Sequence, residues 1–202
     1  MQFVPTLTLT TALLAAGIAQ AGGPEQGPRF GGWELNGFFE QVTINSDAAA
    51  KSLIDTSAPS FGIGGEYYFA NSLLIVGGGL EGLAYSDNNK FSQAVRDNYG
   101  KTYDASSSAS GTSLFVDAGI HYPLPNSLFV SAKVGATIVS SSRSIDNCND
   151  CYKESIKIGG GGYALAQTGV AFDSFELSLS YKQYLSGDLE SGLGLGISTH
   201  FY

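Results

Sequence analysis

The chain has 202 residues, of which 43% are hydrophobic, 12% aromatic and only 14% charged, with a formal net charge of −8. An acidic chain with no compensating basic patch excludes nucleic acid as a partner, because a basic footprint is the first requirement for binding it. No segment beyond the amino terminus approaches the ~18 consecutive apolar residues of a transmembrane helix, so this much apolar content, in a chain charged well below the ~25% of ordinary soluble domains, points to strands.

Residues 1–21 read as a secretory signal peptide. The apolar run Thr11–Ala19 leads into Ala19-Gln20-Ala21, a small-x-small cleavage pattern, although no Lys or Arg precedes Arg29. Residues 22–202 then form one exported domain. Eight strand-like segments follow at Phe30–Ile44, Ser60–Phe69, Leu73–Ser86, Gly111–Tyr122, Leu128–Arg143, Ile156–Phe172, Phe175–Leu185 and Glu190–Tyr202. The last shows the pattern most plainly: Leu193, Leu195, Ile197, Thr199 and Phe201 alternate with glycine, serine and histidine. That is a strand with one greasy face and one small or polar face. The 27 glycines suit strands that curve and crowd in a small barrel better than they suit helices.

Between the strands, Asn45–Pro59, Asp87–Ser110, Ser144–Ser155 and Ser186–Leu189 are polar stretches, whereas Ala70–Ser72, Pro123–Ser127 and Asp173–Ser174 are short and rich in turn residues. The connections therefore alternate long and short. This is the rhythm of an outer-membrane barrel, with long extracellular loops and short periplasmic turns. Aromatic residues gather beside the short turns, at Phe30 and Trp33, Tyr67–Phe69, Tyr122 and Phe129, Phe172 and Phe175, and Phe201–Tyr202. They predict an interfacial girdle, with Phe39, Tyr85 and Tyr181 as candidates for the opposite one.

With its Ala-Gln-Ala cleavage pattern, this turn and loop rhythm and an aromatic C-terminal strand, the chain resembles the small eight-stranded outer-membrane barrels of the OmpA, OmpX and Opa type. No subfamily motif is present. The resemblance implies an all-β, eight-stranded antiparallel transmembrane β-barrel in the bacterial outer membrane. It also implies contact with outer-membrane lipid and lipopolysaccharide, and insertion by the barrel-assembly machinery through the C-terminal strand.

Parity assigns the two faces. Trp33, Leu35, Phe39, Phe61, Ile63, Tyr67, Leu74, Val76, Leu80, Leu114, Val116, Ala118 and Ile120 fall on the lipid side. So do Leu128, Val130, Ala132, Val134, Ile138, Phe175, Leu177, Leu179 and Tyr181. The opposite parity collects Glu34, Asn36, Glu40, Glu66, Glu81, Asp117, His121, Lys133, Glu176, Lys182 and His200 as a lumen network. The segment containing Gly159–Gly162 has no readable parity. Six carboxylates against Lys133, Lys182 and two histidines leave a shortfall of positive charge, which water, protonated carboxylates or a cation must make up, since an isolated buried charge is very costly. Asp117 and Lys133, on strands joined by the Pro123–Ser127 turn, are expected to pair.

The sequence offers little catalytic chemistry. Ser198 and His200 share one face of the last strand, but that face is the lumen side at the turn end. Gly77–Gly79 and Gly159–Gly162 lack the Gly-x-Gly-x-x-Gly spacing of a phosphate loop. Cys148 and Cys151 lack the helix of a redox motif and the ligand set of a zinc site, and in an exported protein they are expected to form a loop-tip disulfide. The reading is a non-enzymatic protein without cofactor or metal, whose loops carry a structural or adhesin-like role toward a host or surface ligand. Two alternatives remain open: a narrow channel for water or small cations, and a lipid-modifying enzyme.

Overall fold

Period-two alternation becomes antiparallel strand pairing along the chain. In the computed structural model, residues 31–87, 93–96, 102–105, 107–145 and 153–201 are described; the segment expected to be a signal peptide and both cysteines, Cys148 and Cys151, lie outside them. The strands are β1 (Gly32–Ile44), β2 (Ser57–Tyr68), β3 (Leu74–Tyr85), β4 (Gln93–Arg96), β5 (Thr102–Ala105) and β6 (Ser107–Pro123). They continue as β7 (Leu128–Ile145), β8 (Lys153–Ile156), β9 (Gly162–Ala171), β10 (Glu176–Tyr184) and β11 (Leu189–Phe201). Neighbours run in the order β6-β3-β2-β1-β11-β10-β9-β7, and the β6–β7 pairing closes the ring. Closure leaves no edge strand in the ring among the described residues, and in lipid an unsatisfied backbone group costs several kcal/mol.

Two elements stand outside the ring. The β4–β5 hairpin forms its own small sheet within the loop after β3. β8 pairs with Ser141–Ser144 at the outer end of β7, whose lower part, Leu128–Ala136, pairs with β9. The expected single strand Ile156–Phe172 is thus broken. Its glycines lie between β7 and the β10–β11 loop: a Cβ on Gly160 would meet Thr137 O of β7 at 2.2 Å, and one on Gly161 would meet Ser186 O of the loop at 2.1 Å. Gly159 N–H donates to Asp188 Oδ2 at 2.6 Å, and Gly162 N–H donates to Ser186 Oγ at 2.9 Å. The run packs against the loop and still joins the ladder, through Thr137 N to Gly161 O at 2.9 Å and the pairing of Gly162 with Ala136.

The short turns form where expected. Asn71 at φ 54°, Asn126 at 62° and Ser127 at 61° take the left-handed conformation that reverses the chain. At the other end, a helix α1 (Ser46–Lys51) lies within the stretch read as a polar loop, its start capped by Asn45 Oδ1 accepting from Asp47 N at 3.0 Å and Ala48 N at 3.3 Å.

The outer face carries a belt of apolar side chains with a level upper border. Along β7 it runs from Leu128 through Val134 and Ile138 and then changes to Ser140, Ser142 and Ser144. On β6 it ends between Leu114 and Thr112, and register places Leu114 opposite Ile138 and Thr112 opposite Ser140. The apolar stretch of each long strand is about ten residues, the length a tilted strand needs to cross the hydrocarbon. Above the border, β6 and β7 project past it.

Near the short turns Trp33, Tyr67 and Phe69 meet in series, tilted and edge-on, with ring centroids 5.2 and 5.1 Å apart, and Phe172 stacks on Phe175 at 4.6 Å. Tyr68, Phe129 and Tyr85 do not join a girdle. Their parity turns them into the barrel, where they are buried.

Candidate functional site

The lumen is packed in layers. At the turn end, His200 on β11 lies between two carboxylates, with Nδ1 3.3 Å from Glu34 and Nε2 3.0 Å from Glu176. The Tyr68 hydroxyl donates to Glu34 at 2.7 Å, and its ring meets both His121 and His200 edge-on. His121 stacks on Phe129 at 4.8 Å and places Nδ1 3.1 Å from Ser131 Oγ. Glu34, Glu176 and His200 bring donor atoms within 4.8 Å of one another. Two oxygens and a nitrogen are donors zinc accepts. Here, however, both imidazole nitrogens already face the carboxylates, so the trio is a carboxylate–imidazole bridge as it stands.

One layer deeper, the Lys133 ammonium donates to Glu66, which also accepts from Asn36 Nδ2 at 3.1 Å. Lys182 donates to Glu40 at 2.7 Å and sits 5.3 to 5.7 Å from the rings of Tyr163, Phe38 and Tyr184. The other Glu40 oxygen rests against Gly192, where a Cβ would lie 1.5 Å away, so a larger residue there would push this carboxylate aside. Tyr163 donates to Asp117 at 2.9 Å. Between these groups is a cavity of about 60 Å³, room for a few waters but not for an open passage.

The outer end of the lumen is closed by an apolar cap. Val42, Ile44, Ile54, Leu83, Ile156 and Leu189 pack together with Ala48 and Ala49 of α1. Arg143 fastens this cap: Nη2 donates to the carbonyls of Ser52 and Leu53 at 2.6 and 3.0 Å, and Nη1 to Glu154 at 2.6 Å. The backbone joins loops further, through Asn45 N to Asp188 O at 2.8 Å and Asp55 N to Ser86 O at 2.7 Å. Charge-assisted bonds of this kind contribute about 1.5–3 kcal/mol. Arg143→Met is therefore expected to loosen α1 by about 2 kcal/mol and to raise trypsin cleavage after Lys51 roughly thirtyfold with the barrel intact. Limited proteolysis of the folded protein measures this, and an unchanged rate would show that Arg143 does not hold the cap.

All the charged residues expected inside lie on the inward face: Glu34, Glu40, Glu66, Glu81, His121, Lys133, Glu176 and Lys182 are buried, and Asp117 is half-buried. The expected Asp117–Lys133 pair is not made. Register sets Lys133 opposite Gly119 and Asp117 opposite Gly135, so the lysine reaches across to β2 and Glu66 while Asp117 takes the Tyr163 hydroxyl. Sequence reasoning missed Tyr68, Tyr85, Tyr163, Tyr184 and Arg143 as inward residues. Their inward parity was legible on every strand except β9, but tyrosine suits both girdle and lumen.

The sequence model of the outer membrane protein beta-barrel domain matches residues 7–201. Among solved structures, Ail, the attachment invasion locus protein of Yersinia pestis, aligns at TM-score 0.50 with 13% identity, covering 88% of this chain and 100% of that one. Ail has also been solved in complex with the heparin analogue sucrose octasulfate. Neisserial surface protein A aligns at TM-score 0.46 with 14% identity, covering 87% of this chain and 100% of that one. The N-terminal β-barrel domain of Pseudomonas aeruginosa OprF aligns at 0.40 with 16% identity, covering 85% and 99%. No curated protein matches the chain. Identities this low speak for the fold alone.

Proposed function

The chain belongs to the outer membrane protein beta-barrel domain family, and we propose that in the bacterial outer membrane it is a non-enzymatic surface protein whose extracellular loops carry a structural and adhesin-like role. The observation that carries this reading is the packed outer cap. A sealed mouth fastened by Arg143 makes the barrel a rigid stand, and rigid scaffolds present function on their loops. Ail, an attachment protein by name, offers a precedent on this fold.

The test is adhesion. Cells displaying the protein should bind a host-cell surface, and replacing residues 88–106 by a short Gly-Ser turn should reduce binding to background while the barrel still assembles. Equal binding with and without the protein would end the adhesin reading.

Lipopolysaccharide around the belt and assembly machinery reading the strand that ends at Phe201 belong to the same proposal. So does the loop disulfide: mass spectrometry of the exported protein should find Cys148 and Cys151 joined, and Cys→Ser at both should leave assembly intact. Free thiols would count against it. A lipid-modifying role is disfavoured because Ser198 and His200 face the lumen, opposite Asn36 and Glu34 in register. Lipid A mass should be unchanged on expression.

A further inference from the structure

Glu81 lies on β3 just beneath the cap residues Leu83 and Tyr85, and it is 3% exposed. Every other lumen carboxylate in the described residues has a partner: Glu34 and Glu176 have His200, Glu40 has Lys182, Glu66 has Lys133, and Asp117 has Tyr163. Glu81 has no hydrogen bond or ion pair among them, and its Oε1 is fully buried. Around the middle of the barrel, Glu40, Glu66, Glu81 and Asp117 face only two ammonium groups, both already bonded to other carboxylates. Arg143, higher up, is held by two carbonyls and Glu154. A carboxylate desolvated without compensation is too costly to be retained by packing alone.

The polar groups nearest Glu81 in register include hydroxyl oxygens. Register sets it opposite Gly62 on β2 and Ser113 on β6, and Ser113 Oγ meets Thr137 Oγ1. Tyr85 and Tyr184 belong to the buried cluster that packs with Leu83 above it. Carboxylate and hydroxyl oxygens with excess negative charge are what a hard cation selects, in contrast to the nitrogen and sulfur donors of zinc sites. We propose that Glu81 binds a hard metal cation of the sodium or calcium kind in the upper lumen, beneath the outer cap. The cation supplies the charge that Lys133 and Lys182 leave uncompensated, and it ties the middle of the barrel to its lid.

The experiment uses the full-length folded protein in detergent micelles, stripped with a chelator and held at constant ionic strength in choline chloride. CaCl2, MgCl2, NaCl and KCl are added separately, and the unfolding midpoint is read by heat-modifiability. One of these cations should raise the midpoint saturably in the wild type; which one distinguishes a divalent from a monovalent site. Glu81→Gln should lose the rise and should start at or above the cation-free wild type, because the uncompensated charge is gone. Terbium, excited through Tyr85 and Tyr184, should give sensitised emission that Glu81→Gln removes. Glu81→Asp, which keeps the charge but shortens its reach, should weaken terbium binding at least tenfold, and it decides the matter if the glutamine variant fails to assemble. No cation effect beyond the choline control, an equal rise in Glu81→Gln, or unchanged terbium affinity in Glu81→Asp would overturn the proposal.

Discussion

Val134→Arg is expected to prevent folding into lipid, whereas Ser140→Arg, on the same face of the same strand, is expected to fold almost normally. Val134 lies in the middle of the apolar belt, 65% exposed, with Ala118 and Ala164 as its cross-strand neighbours. An arginine there must enter hydrocarbon at a cost of about 2–4 kcal/mol, falling to ~0–1 near the interface. Ser140 lies above the border, opposite Thr112. Heat-modifiability after refolding into vesicles separates the two. Equal behaviour would mean that the belt does not mark the membrane.

The second large effect lies inside. Lys133→Met should destabilise the barrel by about 3–5 kcal/mol in urea, because it leaves the Glu66 carboxylate buried without its cation. Adding Glu66→Gln should recover most of that loss, since the amide needs no counter-charge and can still accept from Asn36. Asp117→Asn should give no such rescue, since Asp117 is held by Tyr163. A double variant of Lys133 and Glu66 as unstable as the single one would show that the two residues do not work as a pair.

The contrast between Glu66 and Asp117 shows where sequence stops being informative. Parity is a property of neighbours two residues apart, so inward Glu34, Glu40 and Lys182 and outward Val134 and Leu195 were legible from spacing. Partner choice across the lumen depends on strand stagger and reach. The turn from Pro123 to Ser127 made Asp117 the near candidate for Lys133, while ring closure brought Glu66 nearer in space. The Gly159–Gly162 run was illegible because glycine has no face, and its purpose is set by the Ser186–Asp188 loop far along the chain. The cap was hidden for a related reason. Ala48, Ala49 and Ile54 sit within a polar stretch, and their apolar role exists only once Val42, Leu83 and Ile156 are brought above the lumen.

That cap divides the two main readings of the molecule, a sealed stand for loops and a narrow channel. Planar-bilayer recording of the purified barrel tests this most directly. With the mouth packed by Val42, Ile44, Ile54 and Leu189 and the lumen filled by its ion pairs, the trace should stay at the baseline of the bare membrane in monovalent chloride at either polarity. A steady, cation-selective conductance from the wild-type protein would contradict the sealed barrel and return the acidic lumen to the role of a passage.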